Sequence, residues 1–153
     1  MASYKILLDN DVRHLESDFP AKTVRQLGDI GLSTSASDDD IIVAASERGH
    51  IIVTNNRKDY EGKVKERIAA SSKKELGCTQ VHGLVIVVPS DALKQTQALK
   101  KASRQLWFEG RRIGWKEVNK LCLKVVIHDD GTADVSKLPR CPHCTFADEK
   151  DDD

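Results

Sequence analysis

The chain is poor in cysteine, proline and aromatic residues, has no long apolar run and carries no net charge. Its 153 residues include four cysteines, four prolines and 5% aromatic residues. The irregularly spaced cysteines, at 78, 122, 141 and 144, are too few for a disulfide scaffold. No apolar run approaches the roughly 20 residues of a membrane helix, and the first residues show neither the long apolar core nor the small-residue cleavage site that are typical of a signal peptide. We therefore expect a cytoplasmic protein with reduced thiols and no membrane contact.

Charge is balanced overall but separated along the chain. The 24 basic and 24 acidic residues accompany a 39% apolar fraction, which suits a single globular domain. Residues 1–40 hold four basic and eight acidic residues, whereas residues 94–124 hold nine basic and two acidic ones. An acidic cluster that holds a cation, beside a basic surface that holds a polyanion, indicates metal-assisted chemistry on phosphate esters. Two oppositely charged solvated faces are the alternative.

Apolar runs and turn residues predict alternating strands and helices. Strands are expected at 4–8, 50–54 and 83–89, and a hairpin at 121–136. Two short helices separated by Pro20 are expected within 11–28, and a third from Ser37 or Asp38 to Gly49. Further helices are expected from residue 55 to a loop at 71–77, and at 91–110. This order predicts an α/β domain over residues 1–136, a three-layer α/β/α sandwich with a mainly parallel sheet that ends in a short β-hairpin. A polar tail with an acidic end follows at 137–153.

Acidic residues follow the predicted strands where a parallel sheet binds ligands, at the carboxyl ends. Asp9 and Asp11 follow the first strand, Asp38 opens a helix, and Asp59 comes shortly after the second strand. Carboxylates are preferred ligands of Mg²⁺ and Mn²⁺, and a cluster of them needs a cation to offset its repulsion. Each acid taken alone is also an ordinary helix cap or turn residue.

Two segments resemble a known family. ILLDNDV at 6–12 and SDDDIIVAASERGHIIVTNNRKDY at 37–60 are similar to the compact bacterial subgroup of PIN-like domains, relatives of toxin-type ribonucleases. The family pattern has an acid at a helix start, a small residue, a glycine before the next strand, and a T-x-N-x-x-D-[FY] ending. Its counterparts here are Asp38, Ala45, Gly49, Thr54, Asn56, Asp59 and Tyr60.

The resemblance implies a metal-dependent endoribonuclease that hydrolyses RNA phosphodiesters with bound Mg²⁺ or Mn²⁺. Asp9, Asp38 and Asp59 would be the catalytic, metal-binding acids, and the supporting residues would be Asp11, Thr54 and Asn56. It also implies the toxin of a toxin and antitoxin pair, with a small antitoxin protein as partner and a homodimer as assembly. Fuller PIN nucleases use a further glutamate, for which this chain has no clear counterpart. An inactive PIN-like binding module therefore stays open as an alternative.

Basic residues supply the expected RNA-binding surface. The candidates are Arg57, Lys58, Lys101, Arg104, Arg111 and Arg112. Trp107, Phe108 and Trp115 would either stack on unpaired bases or pack in the core. Because aromatic residues are scarce in this chain, packing is the favoured interpretation for the tryptophans.

A second enzyme class shares part of the pattern. Asp9-Asn10-Asp11-Val12 has the D-x-D-x-[TV] form of haloacid-dehalogenase-type phosphatases, in which the first aspartate is the nucleophile, and IIVTN resembles their second motif. No glycine-containing turn follows the aspartate pair, and Asp129-Asp130-Gly131 predicts a hairpin turn instead of an acidic metal motif. The ribonuclease is therefore the preferred hypothesis.

The last cysteines form half of a metal-binding motif. Cys141 and Cys144 flank Pro142 and His143 in the C-x-x-C spacing of a zinc ligand pair. A structural zinc ion needs four ligands, and the chain has no second C-x-x-C. The residues weighed to complete the site are Cys78, Cys122, His128 and His143. The motif alone does not predict a closed zinc site, and Cys122 is otherwise expected in the core.

Overall fold

A six-stranded sheet organises the protein. The computed structural model describes residues 4–71 and 80–140. The sheet contains β1 (Ile6–Leu8), β2 (Val24–Gln26), β3 (Ile51–Thr54), β4 (Leu84–Val87), β7 (Leu123–Ile127) and β8 (Ala133–Lys137), and a separate hairpin contains β5 (Trp107–Phe108) and β6 (Arg111–Arg112). The order across the sheet is β2-β1-β3-β4-β7-β8, and every pairing is parallel except the antiparallel β7–β8 pair.

Helices cover both faces of this sheet. The α-helices are α1 (Asp38–Arg48), α2 (Arg57–Ser71), α3 (Ala92–Ser103) and α4 (Trp115–Lys120), and 3₁₀-helices span Asn10–Asp18 and Leu27–Ile30. Leu7, Ile52 and Ile86 pack with α1 and α2 on one face. Leu8, Val53 and Val85 pack with the first 3₁₀-helix, α3 and α4 on the other. Burial on both faces explains the continuous apolar runs of β1, β3 and β4.

These features confirm a mixed α/β fold with a mainly parallel sheet and a terminal hairpin. The predicted start and end of α1 are also confirmed. The Ser37 hydroxyl accepts a hydrogen bond from the Asp40 N–H at 3.2 Å, and Gly49 ends the helix with a left-handed φ of +68°.

The second of the two helices predicted within 11–28 is wrong. Residues Val24–Gln26 instead form the edge strand β2, which pairs in parallel with β1. The Ile6 N–H donates to the Thr23 carbonyl at 2.7 Å. This edge of β1 has buried polar backbone groups that need partners, and the extended segment supplies them. The spacing of Val24 and Leu27 alone cannot reveal this demand, because it comes from a neighbouring strand.

The helix predicted at 91–110 is too long. Helix α3 ends at Ser103, and residues Trp107–Arg112 form the β5–β6 hairpin. Glu109 and Gly110, at the hairpin tip, both have positive φ, as in a type I′ turn. Gly110 therefore serves a hairpin and does not end a helix. Helix α4 follows directly and was not predicted.

The chain reverses its direction across the sheet next to β1. It passes from β1 to β2 on one side, and then crosses through α1 to β3 on the other side of β1. The carboxyl ends of β1 and β3 therefore border a topological switch point, the place where open α/β sheets bind ligands. Asp9 and Thr54 lie at these two strand ends.

Within the described ranges, no helix has the length and apolar character needed to cross a membrane.

The two tryptophans differ in their structural role, which gives a direct test of the fold. Trp115 is 7% exposed and its ring centroid lies 5.4 Å from that of Phe19, whereas Trp107 is 59% exposed. We expect Trp115→Ala to lower the free energy of unfolding by about 3–5 kcal/mol, because it leaves a cavity. The matched Trp107→Ala variant should change it by less than about 0.5 kcal/mol. Urea titrations followed by circular dichroism measure both, and equal losses would contradict the packing described.

Candidate functional site

A hydrogen-bonded pair joins the two strand ends at the switch point. The Thr54 hydroxyl donates to Asp9 Oδ2 at 2.8 Å, and the Asn10 N–H donates to Asp9 Oδ1 at 2.8 Å. Thr54 is fully buried and Asp9 is 9% exposed. Backbone and side-chain donors therefore fix both oxygens of a carboxylate that has little contact with bulk water.

The residues after β3 extend this network. The Asn56 N–H donates to the Thr54 hydroxyl at 3.1 Å, so the same hydroxyl accepts one hydrogen bond and donates another. The Asn55 side-chain amide donates to the carbonyls of Val87, at 2.7 Å, and Pro89, at 2.9 Å. These contacts hold the carboxyl ends of β1, β3 and β4 in one rigid edge.

Asp11 brings a second carboxylate to this edge. Its Oδ1 accepts the Asn55 N–H at 3.4 Å. Burial, together with the negative charges of Asp9 and Asp38, raises the pKa of Asp11 to about 6. More than a third of the Asp11 residue is exposed, so solvent screens part of this repulsion. The raised pKa shows that Asp9, Asp11 and Asp38 share one electrostatic environment.

Asp38 supplies the third carboxylate from the first turn of α1. Its Oδ2 lies 3.5 Å from the Lys63 ammonium on α2. The positive end of the α1 dipole also favours a carboxylate at this position. The three acids thus come from two different parts of the chain, with one lysine to offset their charge.

Tyr60 adds a buried hydroxyl. The side chain is fully buried. Burial raises the pKa of Tyr60, and the charges of Asp9 and Asp38 raise it further. The Tyr60 hydroxyl therefore interacts with the carboxylate of Asp9.

Asp59 has a different environment from the other predicted acids. It lies exposed in the first turn of α2, where its Oδ2 accepts from the Asn56 amide at 2.9 Å and its N–H donates to Asn56 Oδ1 at 3.4 Å. This reciprocal pair caps α2. The structure therefore groups Asp9 and Asp38 with Asp11, which was predicted only as a supporting residue.

Sequence reasoning missed three contributors to the site. Tyr60 entered only as a motif position, and neither Asn55 nor Lys63 was assigned a role there. The aromatic residue that ends the T-x-N-x-x-D-[FY] pattern was the available signal for Tyr60. Nothing in the local sequence indicates Lys63, because its contact with Asp38 spans two helices.

The described residues do not contain a preformed metal cage. Within 4–71 and 80–140, no three His, Cys, Asp or Glu side chains form a group with the spacing of metal ligands. Mg²⁺ commonly binds through one or two carboxylates and keeps several waters. The pairs available among Asp9, Asp11 and Asp38 therefore remain suitable in number and chemistry for such an ion.

The predicted RNA-binding residues lie in two regions. Arg57 and Lys58 begin α2, three and four residues after Thr54, and Arg57 pairs with Glu61. The others are nearer β7 and β8. Lys101 donates to the Asp130 carbonyl at 2.9 Å, Arg104 ends α3, and Arg111 and Arg112 form the exposed strand β6.

The β5–β6 hairpin presents an aromatic residue beside this second basic region. Trp107 is directly opposite Arg112 in the hairpin register, so both side chains share one face. Trp107 is exposed, contrary to the favoured prediction, because the hairpin directs Phe108 toward the core instead. Trp115 is buried, as predicted.

The cysteine predictions are tested in part. Cys122 is buried, as expected for a core residue. Cys78, Cys141, Cys144 and the acidic end of the tail lie outside the described residues, as does the loop predicted at 71–77 except for its first residue. Strand β8 extends to Lys137, one residue into the predicted tail.

Comparison of the chain with protein-family models, curated proteins and solved structures found no match. The resemblance to PIN-like domains therefore stays a prediction that rests on the segments quoted above. The geometry of the site is an independent observation that does not require the family.

The raised pKa of Asp11 predicts that removing its charge stabilises the fold, and that this gain in stability depends on pH. Because the folded state holds the Asp11 proton more tightly than the unfolded chain, the ionised carboxylate destabilises the fold above pH ~6, and this penalty disappears as the pH falls toward ~4. We expect Asp11→Asn to raise the melting temperature at pH ~7.5 and to leave it unchanged near pH ~4.

Asp129→Asn is the matched control, since Asp129 is an exposed turn residue outside the site. Thermal melts of both variants at the two pH values make the comparison. A lower melting temperature of Asp11→Asn at the higher pH, or an equal gain in Asp129→Asn, would contradict the repulsion.

Proposed function

We propose that this protein is a metal-dependent endoribonuclease whose Mg²⁺ or Mn²⁺ is held by one or two carboxylates from the group Asp9, Asp11 and Asp38, and by bound waters. The observation that carries the proposal is the position of these carboxylates at the switch point of the sheet, where Asp9 accepts from the Thr54 hydroxyl and Asp11 from the Asn55 N–H.

The donor set suits a hard divalent cation. All candidate ligands are oxygen atoms, which Mg²⁺ and Mn²⁺ prefer over nitrogen and sulfur. A cation with its bound waters would relieve the mutual repulsion of the three acids. When bound, such an ion lowers the pKa of a water and stabilises the charge that develops on a phosphate.

The residues of the chain perform positioning and charge compensation. Thr54 holds Asp9 through its hydroxyl, so Thr54 is a positioning residue. Lys63 limits the negative charge around Asp38, which lowers the cost of bringing an RNA phosphate close. Arg57 and Lys58, at the start of α2, are placed to contact phosphates near the acids.

The hairpin supports an extended RNA-binding surface. The tip of the hairpin contacts the end of β8, where Glu109 pairs with Lys137. It therefore offers an RNA contact that is separate from the acidic site. Trp107 offers a face on which a base can stack, and Arg112 beside it offers charge to the backbone.

The phosphatase hypothesis has less support. No glycine-containing turn follows Asp9 and Asp11, and Asp129, Asp130 and Gly131 lie in the turn between β7 and β8. The toxin role, the antitoxin partner and the homodimer stay predictions from the resemblance. A non-catalytic binding module is the outcome that the experiment below distinguishes.

The central test measures metal binding and RNA cleavage together. Calorimetric titration of Mn²⁺ should show a site in the wild type, and single-stranded RNA should be cleaved in a chelator-sensitive manner. Asp9→Asn and Asp38→Asn should each reduce the cleavage rate on the order of a hundredfold or more, because several kcal/mol of charge stabilisation is lost.

Asp129→Asn removes the same charge away from the site and should behave like the wild type. Asp59→Asn should retain most activity, because its carboxylate is engaged in the α2 cap. A well-folded wild type that binds no Mn²⁺ and cleaves no RNA would overturn the nuclease and favour the binding module. A phospho-aspartate trapped at Asp9, formed from a phosphate monoester with release of its alcohol, would favour the phosphatase.

The hairpin makes a separate prediction about RNA affinity. Trp107→Ala should weaken binding of single-stranded RNA by about 1–3 kcal/mol. Arg112→Gln should reduce the slope of the logarithm of the association constant against the logarithm of the salt concentration by about the amount that one phosphate contact contributes. Lys22→Gln is the matched control, since Lys22 precedes β2 at the opposite edge of the sheet. Fluorescence anisotropy at several salt concentrations measures these effects, and equal losses in all three variants would contradict a specific role of the hairpin.

A further inference from the structure

A pocket lies at the carboxyl ends of β1 and β2, beside the acidic site. Its volume is about 170 Å³, and it is lined by Asn10, Arg13, Gln26, Leu27, Gly28 and Thr34. Leu8 and Gln26 are register partners at the ends of these two strands. The pocket is therefore on the β2 side of β1, whereas Thr54 joins Asp9 from the β3 side. None of the six lining side chains has a role in the proposed nuclease chemistry.

The segments that form the pocket also lead to the acids. Asn10 follows Asp9 directly, so their Cα atoms are about 3.8 Å apart. Thr34 comes four residues before Asp38, which limits the distance between their Cα atoms to ~14 Å. A nucleotide joins its base to its phosphate through a single sugar. One nucleotide can therefore place its base in the pocket and its phosphate beside the carboxylates.

The size of the pocket suits one six-membered ring. An apolar protein cavity of about 150 Å³ holds benzene. Leu27, which is 4% exposed, gives the pocket an apolar wall for such a ring. Pockets for drug-sized ligands are larger, with volumes of about 300–1,000 Å³. A pyrimidine base matches the space available, whereas the two fused rings of a purine need more room.

Hydrogen bonds fix the wall that β2 supplies. Gln26 Nε2 donates to Glu16 Oε1 at 3.0 Å and to the Arg13 carbonyl at 3.3 Å. The Gln26 N–H donates to Asp29 Oδ2 at 2.8 Å. These contacts join the end of β2 to both 3₁₀-helices. The pocket is therefore formed before a ligand enters it, which lowers the entropic cost of binding.

Three polar side chains around the pocket are available to a ligand. Within residues 4–71 and 80–140, the side chains of Asn10, Arg13 and Thr34 make no hydrogen bond or ion pair. A carboxamide and a hydroxyl each donate and accept, and a guanidinium donates. Proteins read unpaired RNA bases through such hydrogen bonds to the polar edge of the base. The pocket thus combines an apolar wall with groups that can recognise a base.

Gly28 leaves space in the wall of the pocket. Its φ lies outside the left-handed region, and a Cβ at this position would meet no atom within 4 Å outside its own turn of chain. The backbone therefore does not require glycine here. A larger residue is compatible with the fold, and its side chain would reduce the space for a ligand.

We propose that this pocket binds the base of a pyrimidine nucleotide and so selects the RNA nucleotide beside the cleaved phosphate. The selection of a cleavage site rests on the proposed nuclease function, whereas binding of the base needs no metal ion. Leu27 would contact the face of the ring, and Asn10, Arg13 and Thr34 would contact its polar edge.

Nucleotide binding in the presence of a chelator tests the pocket without any cleavage. Uridine monophosphate, titrated into the full chain, should shift the amide signals of Asn10, Leu27, Gly28 and Thr34 in nuclear magnetic resonance spectra. Adenosine monophosphate and ribose phosphate should bind about tenfold more weakly or less. Gly28→Leu should weaken the binding of uridine monophosphate by about tenfold or more. Gly62→Leu is the matched control, since Gly62 has similarly open surroundings on α2, and it should bind like the wild type.

A second variant and a cleavage assay separate failure of the pocket from failure of the nuclease. Thr34→Val, in an exposed loop, removes one hydroxyl and should weaken binding several-fold even if Gly28→Leu fails to fold. The wild type should cleave a purine RNA beside its single uridine, and Thr34→Val should reduce this preference. Binding of uridine monophosphate without any cleavage would overturn the nuclease and support the pocket. Equal binding of the three probes, or unchanged binding in both variants, would overturn the pocket even in an active nuclease.

Discussion

The hydrogen bond from the Thr54 hydroxyl to the Asp9 carboxylate is the interaction on which the site depends. It joins the ends of two adjacent strands at the place where the chain reverses its direction across the sheet. Because Asp9 is largely buried, its charge needs these fixed donors, and their geometry determines where its oxygens point. Asp11 and Asp38 then add charge that Lys63 offsets only in part. The proposed divalent cation would supply the remaining compensation.

Whether an element could be predicted from the sequence depends on how far apart in the chain the residues that determine it lie. The strands β1, β3 and β4 were predictable because burial on both faces makes them continuous apolar runs, and α1 was predictable from Ser37 and Gly49. Strand β2 was not predictable, because its extended conformation depends on backbone groups at the edge of β1 that need hydrogen-bond partners. In the site, the positions of Asp9 and Asp38 followed from strand and helix ends. The roles of Asp11 and Tyr60 required knowledge of which side chains share one buried region.

Nuclear magnetic resonance with Mn²⁺ as a paramagnetic probe tests the central claim most directly, because it reports where the ion binds without requiring a substrate. The account predicts that substoichiometric Mn²⁺ selectively broadens the amide signals of residues 9–12, of Asp38 and of residues 54–56. This broadening should be absent in Asp9→Asn. Broadening confined to the acidic residues at the end of the chain, with the signals of Asp9 and Asp38 unaffected, would contradict it.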